Sequence, residues 1–244
     1  RGFKPRSYKA LWPKLQTLPW NQVSAMATSA MPSYAPLMLV TDDNHLDDRF
    51  LSKIEGALKG GVTSVQLRLK HVSTREYVDW GVKVQELTRA AGVPLIIDDR
   101  LDVALAIGAE GLHIGDTDMP WHIARRLLGP DKLLGCSTYG NADLVKQAMH
   151  PDVRADYLGS GSIFPSPTKP KSTAKGLGHL PELNRIVTLE AGTRKVPILA
   201  IGGVELNCAV KCVEAGADGL AVVSALLGHE DASGTQSVAE AMLA

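Results

Sequence analysis

At 244 residues the chain is too long for the smallest domains and matches the ~250 residues of a single (β/α)8 barrel. Hydrophobic residues make up 45% and charged ones 21%, enough for a full-sized core, and no apolar run approaches the ~20 residues of a membrane span. Lys+Arg and Asp+Glu both number 26, so bulk charge gives no case for a nucleic-acid or membrane partner.

Residues 1–41 stand apart. They carry Arg1, Lys4, Arg6, Lys9 and Lys14 but no Asp or Glu, and include Trp12 and Trp20. The organisation expected is a basic leader, linker or arm over residues 1–35 and a barrel over 36–244. A basic, acid-free leader starting at Arg1 fits the remains of an organelle transit peptide. It fits equally a linker from a longer polypeptide, or an arm packing on the barrel through its tryptophans. Cys136, Cys208 and Cys212 form no C-x-x-C pair and no disulfide framework, which points to a reducing compartment, cytoplasm or plastid.

From Pro36 on, strand-like runs alternate with helix-like stretches. The strand candidates are Leu37–Thr41, Ser64–Leu69, Leu95–Asp98, Gly111–Ile114, Leu133–Cys136, Tyr157–Gly159, Ile198–Ile201 and Leu220–Val223. Alternating strands and helices imply a parallel sheet, and eight strands favour its closure into a (β/α)8 TIM barrel with an N-terminal extension. The second strand is the most informative. Val65, Leu67 and Leu69 fall on one face and Gln66, Arg68 and Lys70 on the other. Two cations in a row are costly in a core unless something anionic lies opposite, and the strand itself supplies no acid. The next helix announces itself by a capping box, Ser73 to Glu76, an apolar stripe of Tyr77, Trp80, Val84, Leu87 and Ala91, and a terminating Gly92. Gly60-Gly61, Gly108 and Gly216 punctuate later returns from helix to strand.

In such barrels chemistry sits at the C-terminal ends of the strands. Those ends gather Gln66, Arg68 and Lys70; Asp98-Asp99-Arg100; Asp116 and Asp118; Ser137-Thr138; the loop Ser166-Pro167-Thr168-Lys169; Gly202-Gly203; and Ser224. Asp99 and Asp118, on neighbouring strands, could share a hard divalent cation. Each alone reads as a helix N-cap; the two together, beside a cationic strand, favour the metal. Gly202-Gly203 and Ser224 follow strands seven and eight, where barrels often hold a phosphate on backbone N–H groups. Ser137 reads equally as cap or ligand. His113 reads as a barrel-wall residue, while His45, His71 and His122 have no metal-ligand spacing.

These residues resemble the thiamine-phosphate synthase family. The matching stretches, in family order, are Gln66 to Lys70, Ile96 to Arg100, Gly111 to Gly115 and on to Asp118-Met119-Pro120, Ala155 to Gly159, Phe164-Pro165 to Thr168-Lys169, Ala200 to Gly203, and Gly219 to Ser224. The resemblance implies a (β/α)8 barrel and a transferase that joins hydroxymethylpyrimidine diphosphate to a thiazole phosphate, with diphosphate as leaving group. It implies Mg2+ on Asp99 and Asp118, and diphosphate and pyrimidine contacts from Gln66, Arg68, Lys70, Ser137 and Lys169. Thiazole phosphate falls to Ser166, Thr168, Gly203, Val223 and Ser224. Of these, Arg68, Lys70, Ser137 and Lys169 are expected to serve catalysis directly. Partners are small molecules; a homo-oligomer is compatible with the sequence. Plant and fungal relatives are often fused to a kinase of the same pathway, and the leader would then be a remnant of that junction.

The family usually has Asn at Asp98, Gln at Asp116 and Thr at Ser166. Asp98 lies at the mouth where diphosphate binds; it is expected to point at the metal, the alternative being a pair with Arg100 or Lys70. Two other readings compete. A thiazole tautomerase paralogue resembles this chain but has His where Tyr139 follows Ser137-Thr138, and has no use for the diphosphate apparatus. A non-catalytic phosphate-binding barrel draws its support from Asp98 and Asp116.

Overall fold

Successive side chains of a strand point to opposite faces, and here each face finds its own core. The computed structural model describes residues 32–166, 173–192 and 194–244. Its strands are β1 (Leu37–Val40), β2 (Ser64–Leu67), β3 (Leu95–Asp98), β4 (Gly111–Ile114), β5 (Leu133–Ser137), β6 (Tyr157–Ser160), β7 (Ile198–Ile201) and β8 (Gly219–Val222). All pair in parallel with the next, and β1 closes on β8 with Met38 opposite Ala221. The barrel is closed.

The helices are α1 (Phe50–Lys59), α2 (Thr74–Ala90), α3 (Leu101–Ile107), α4 (Trp121–Leu128), α5 (Ala142–Met149), α6 (Leu180–Ala191), α7 (Leu206–Glu214), α8 (Ser224–Leu227) and α9 (Ala232–Leu243). Val65, Leu67 and Leu69 pack outward with Tyr77 and Val84 in the layer between barrel and helices. Met38, Val40, Ile96, Tyr157 and Leu199 fill the barrel itself. Tyr34 and Ala35 belong to this inner core, and Ser64 Oγ donates to the Tyr34 carbonyl at 2.8 Å, so the chain plugs the barrel floor just before β1. Among the described residues no helix is long and apolar enough to cross a membrane. The leader with Trp12 and Trp20 lies outside the described residues, save for its last four positions.

All eight expected strands are present, three of them to the residue and the others with ends displaced by one or two residues. The largest difference is in β2, which stops at Leu67 rather than Leu69. Beyond it, side chains replace the ladder: the Arg68 N–H donates to Thr41 Oγ1 at 2.9 Å and the Lys70 N–H to Asp43 Oδ2 at 2.9 Å. The capping box forms as expected, Ser73 N–H donating to Glu76 Oε2 at 2.8 Å and Glu76 N–H to Ser73 Oγ at 3.3 Å. Gly61, Gly108 and Gly216 take φ of 95°, 64° and 104°, the region that glycine enters without a Cβ clash.

Gly135 is fixed by space. A Cβ there would run into the Tyr157 ring and His113 Nδ1. Gly135→Ala is therefore expected to lower stability by ~1–3 kcal/mol through overpacking. An unchanged Tm would mean that the Tyr157–His113 pair shifts at no cost.

Candidate active site

The cations of β2 meet their anions across the barrel mouth. Asp98 ends β3, the neighbouring strand. Its Oδ2 lies 3.5 Å from Arg68 Nε and 3.1 Å from Lys70 Nζ, and Lys70 also pairs with the Asp99 carboxylate. Asp98 is 6% exposed, so a carboxylate buried to this degree is tolerable only beside such partners. Arg100 turns elsewhere, its Nε to Asp102 at 2.9 Å and its outer nitrogen to Thr74 at 2.8 Å. Of the two orientations expected for Asp98, the structure has the ion pair with Lys70, with Arg68 added.

Neither Asp99 nor Asp118 caps a helix. α3 begins after Arg100 and α4 after Pro120, both without a side-chain cap. Asp99 sits at φ 61°, a region that Asp and Asn enter more readily than most residues, while its N–H continues the ladder to the His113 carbonyl at 2.8 Å. Asp118 Oδ2 accepts the Gly115 N–H at 2.7 Å, closing the loop after β4. Both carboxylates thus stand at the rims of adjacent strands. Two hard oxygen donors of this kind suit Mg2+, which takes one or two carboxylates and completes its shell with water and phosphate oxygens.

A second wall is built on β4, β5 and β6. His113 and Tyr157 stack with ring centroids 5.4 Å apart at 28°. His113 Nδ1 lies 3.0 Å from Tyr157 Oη, and Nε2 lies 2.9 Å from Ser137 Oγ. Complete burial pushes the Tyr157 phenol well above its ordinary pKa, partly offset by a hydrogen bond from Gln66. The phenol therefore keeps its proton. A neutral imidazole there would donate to one of these hydroxyls and accept from the other, and the Ser137 hydroxyl also hydrogen-bonds the Tyr139 phenol. Tyr139 stands beside them. Burial raises its pKa, a hydrogen bond with Ser137 lowers it, and Asp116 and Asp118 raise it further. Asp116, on which the sequence placed extra negative charge near the diphosphate, hydrogen-bonds this phenol and lies off the cavity wall.

The third wall pairs the loop after β6 with the end of β7. Ile163 and Phe164 N–H groups donate to the Ile201 and Gly202 carbonyls, each at 2.9 Å. Gly203 takes φ 65°, and a Cβ there would overlap the Phe164 and Pro165 backbone. Side-chain-free backbone is what this close approach requires.

One cavity of about 900 Å³, its open mouth included, joins the three walls. Gln66, Arg68, Asp98, Ser137, Ser166, Gly203, Val223 and Ser224 all line it. Lys70, Asp99 and Asp118 stand at the rim outside that lining. Thr168 and Lys169 lie outside the described residues.

Residues 37–226 match the family model of thiamine monophosphate synthase. The chain belongs to the thiamine monophosphate synthase family. It is 42% identical over 196 residues to the thiamine-phosphate synthase of Clostridium tetani, covering 80% of this chain and 89% of that one. Identity to the enzyme of Chloroflexus aurantiacus is 46% over 179 residues, 73% of this chain and 78% of the relative. Among solved structures, thiamine phosphate pyrophosphorylase from Pyrococcus furiosus superposes with a TM-score of 0.71 at 32% identity, covering 87% of this chain and 98% of that chain.

Within the synthase family frame, the residues that sequence reasoning underrated are His113, Tyr139 and Tyr157. Strand parity carried a signal for two of them: His113 shares β4 with Leu112 and Ile114, which pack outward, and Tyr157 alternates with outward Leu158. An inward polar residue on a barrel strand faces either packing or ligand. Tyr139 lies past the end of β5, where parity no longer applies.

Asp98→Asn tests the second wall's neighbour. The amide takes an internal anion from Arg68 and leaves Lys70 with Asp99 alone, so the KM for a diphosphate substrate is expected to fall about tenfold, while Tm falls because a buried ion-pair partner is lost. An unchanged KM would show that Asp98 does not compete with substrate for these cations.

Proposed function

We propose that the chain joins 4-amino-2-methyl-5-hydroxymethylpyrimidine diphosphate to hydroxyethylthiazole phosphate, giving thiamine phosphate and diphosphate. The observation that carries this is one shared cavity, lined by Gln66, Arg68 and Ser137 together with Ser166, Gly203 and Ser224. Arg68, with Lys70 at the rim, suits a diphosphate. Ser166, Ser224 and the closely approached backbone at Gly203 suit a monophosphate.

The reaction is dissociative. The C–O bond to diphosphate breaks first with both electrons leaving on oxygen, and the pyrimidine-methyl cation is captured by the thiazole nitrogen lone pair. No proton has to be removed at the reacting nitrogen, which suits a site whose histidine is engaged on both ring nitrogens. Charge accumulates on the leaving group, so preorganised Arg68 and Lys70 act most strongly in the transition state. Ser137, held between His113 and Tyr139 at the cavity wall, contacts bound substrate through its hydroxyl. Lys169, which lies outside the described residues, is assigned to the diphosphate by the family resemblance alone. Asp99 and Asp118 would hold Mg2+, which supplies further charge neutralisation to the diphosphate when bound. Ser166, Thr168, Gly203, Val223 and Ser224 hold the thiazole phosphate.

The test is diphosphate release from the two substrates, together and singly, with and without Mg2+. Release that needs both substrates and the metal is the expected result. Absence of release under all conditions would leave a phosphate-binding barrel.

A further inference from the structure

The family match ends at residue 226, yet the chain runs on through α9, and that continuation grips the segment carrying Ser224. α8 has only four residues, so its closing carbonyls have few partners within the helix. The last three are each taken by a side chain. His229 Nε2 lies 3.1 Å from the Ala225 carbonyl, and since a carbonyl only accepts, this nitrogen carries the proton. Thr235 Oγ1 shares its proton between the Leu226 carbonyl at 3.0 Å and the Asp231 carbonyl of its own helix turn at 3.1 Å, and Lys53 Nζ donates to the Leu227 carbonyl at 3.1 Å.

Two of the three are deeply placed. Lys53 is 4% exposed and Thr235 fully buried; the other partner of Lys53 is Asp47 Oδ2 at 3.5 Å. Lys53 comes from α1 and Thr235 from α9, and glycines fix the register of these helices. A Cβ at Gly56 would overlap the Ala232 carbonyl, and one at Gly60 would lie 2.6 Å from the Gln236 carbonyl oxygen. Burying an ammonium group is costly, and here its charge is spent on a backbone carbonyl behind the cavity rather than on the cavity itself. Neither Lys53 nor Thr235 lines the cavity, whereas Val223 and Ser224 do.

We infer that Lys53 and Thr235 are positioning residues for the phosphate-bearing substrate. By holding the Leu226 and Leu227 carbonyls from behind, they fix Val223 and Ser224 at the cavity wall and make the C-terminal helix part of the binding apparatus. The inference rests on the reading of Ser224 as a thiazole-phosphate contact.

Thr235→Val keeps shape and loses the hydroxyl; Thr235→Ser keeps the hydroxyl; Lys53→Met keeps length and loses the charge. Thr235→Val and Lys53→Met are each expected to raise the KM for thiazole phosphate about tenfold, with kcat and the KM for the pyrimidine diphosphate within about twofold. Thr235→Ser should behave as the parent chain. Amide hydrogen exchange over residues 219–228, measured without substrate, should quicken in the same two variants and not in Thr235→Ser. Unchanged exchange, or quickened exchange with an unchanged KM, overturns the inference. If Lys53→Met yields no folded protein, the Val/Ser pair at position 235 decides alone. Should the parent chain release no diphosphate, the functional reading fails separately, and calorimetric Kd values for thiazole phosphate replace KM. Weaker binding to Thr235→Val than to Thr235→Ser then supports the inference; equal affinity, or none in either, overturns it.

Discussion

Arg68→Ala is expected to lower kcat for diphosphate release by about 10²–10³-fold, the range for losing one preorganised donor to a developing anion. The guanidinium lines the cavity and leans on Asp98 at 3.5 Å, a long, loose pairing that leaves its fork free to meet an incoming phosphate. Its attraction grows as the C–O bond breaks, because the leaving diphosphate gains charge, so the loss falls on kcat. Arg68→Lys should recover part of the rate, since a point charge replaces the fork but not its two-pronged geometry. Ser224→Ala behaves differently. The thiazole phosphate carries the same charge in ground and transition states, so its loss of contact raises KM about tenfold and leaves kcat near the parent value. Steady-state kinetics with each substrate varied in turn separates the two. A rise in KM alone for Arg68→Ala would move that residue from the reacting end of the cavity to general binding.

The barrel was legible because its signals are local. Alternation in Val65 to Lys70, the Ser73–Glu76 box and the glycines at helix ends each depend on a few adjacent residues. The strand ends slipped where side chains from another loop take over the ladder, as Thr41 and Asp43 do beyond Leu67. The question left by the cationic face of β2 was what lies opposite, and the answer, Asp98 and Asp99, belongs to the next strand. Pairing of neighbouring strands made that guessable. Other features depend on distant chain segments brought together. Tyr139 meets Asp116 from a different loop, a contact between residues that the sequence treated separately. Lys53 reaches Leu227 across 174 positions. No spacing rule joins residues so far apart. The capping alternatives for Asp99 and Asp118 were sound by spacing and failed by one or two residues, because the helices start later than the carboxylates could reach.

Asp99→Asn and Asp118→Asn are each expected to raise the Mg2+ concentration for half-maximal activity by at least about 10²-fold, the upper end of what losing even an outer-sphere partner costs. Asn is the informative replacement at both positions. At φ 61° it tolerates the left-handed backbone that Ala would strain, so Asp99→Asn changes charge without changing the turn. At 118 the amide oxygen can still accept the Gly115 N–H, which holds the loop after β4 at 2.7 Å. Tm should therefore stay close to that of the parent chain, and a loss of activity cannot be blamed on unfolding. The pairing of Lys70 with both Asp98 and Asp99 sharpens the expectation. With Asp99 engaged by a metal, Lys70 would retain one acidic partner, Asp98, in place of two, and its ammonium would be the more available to the diphosphate. In Asp99→Asn the lysine keeps only its Asp98 pair without metal, so some residual turnover should persist that no longer rises with Mg2+. In Asp118→Asn the Lys70–Asp99 pair is intact, so turnover without metal should be the lower of the two. Mg2+ titrations of both variants read this difference directly. Half-saturation at the parent's Mg2+ concentration in both would remove these carboxylates from the metal site.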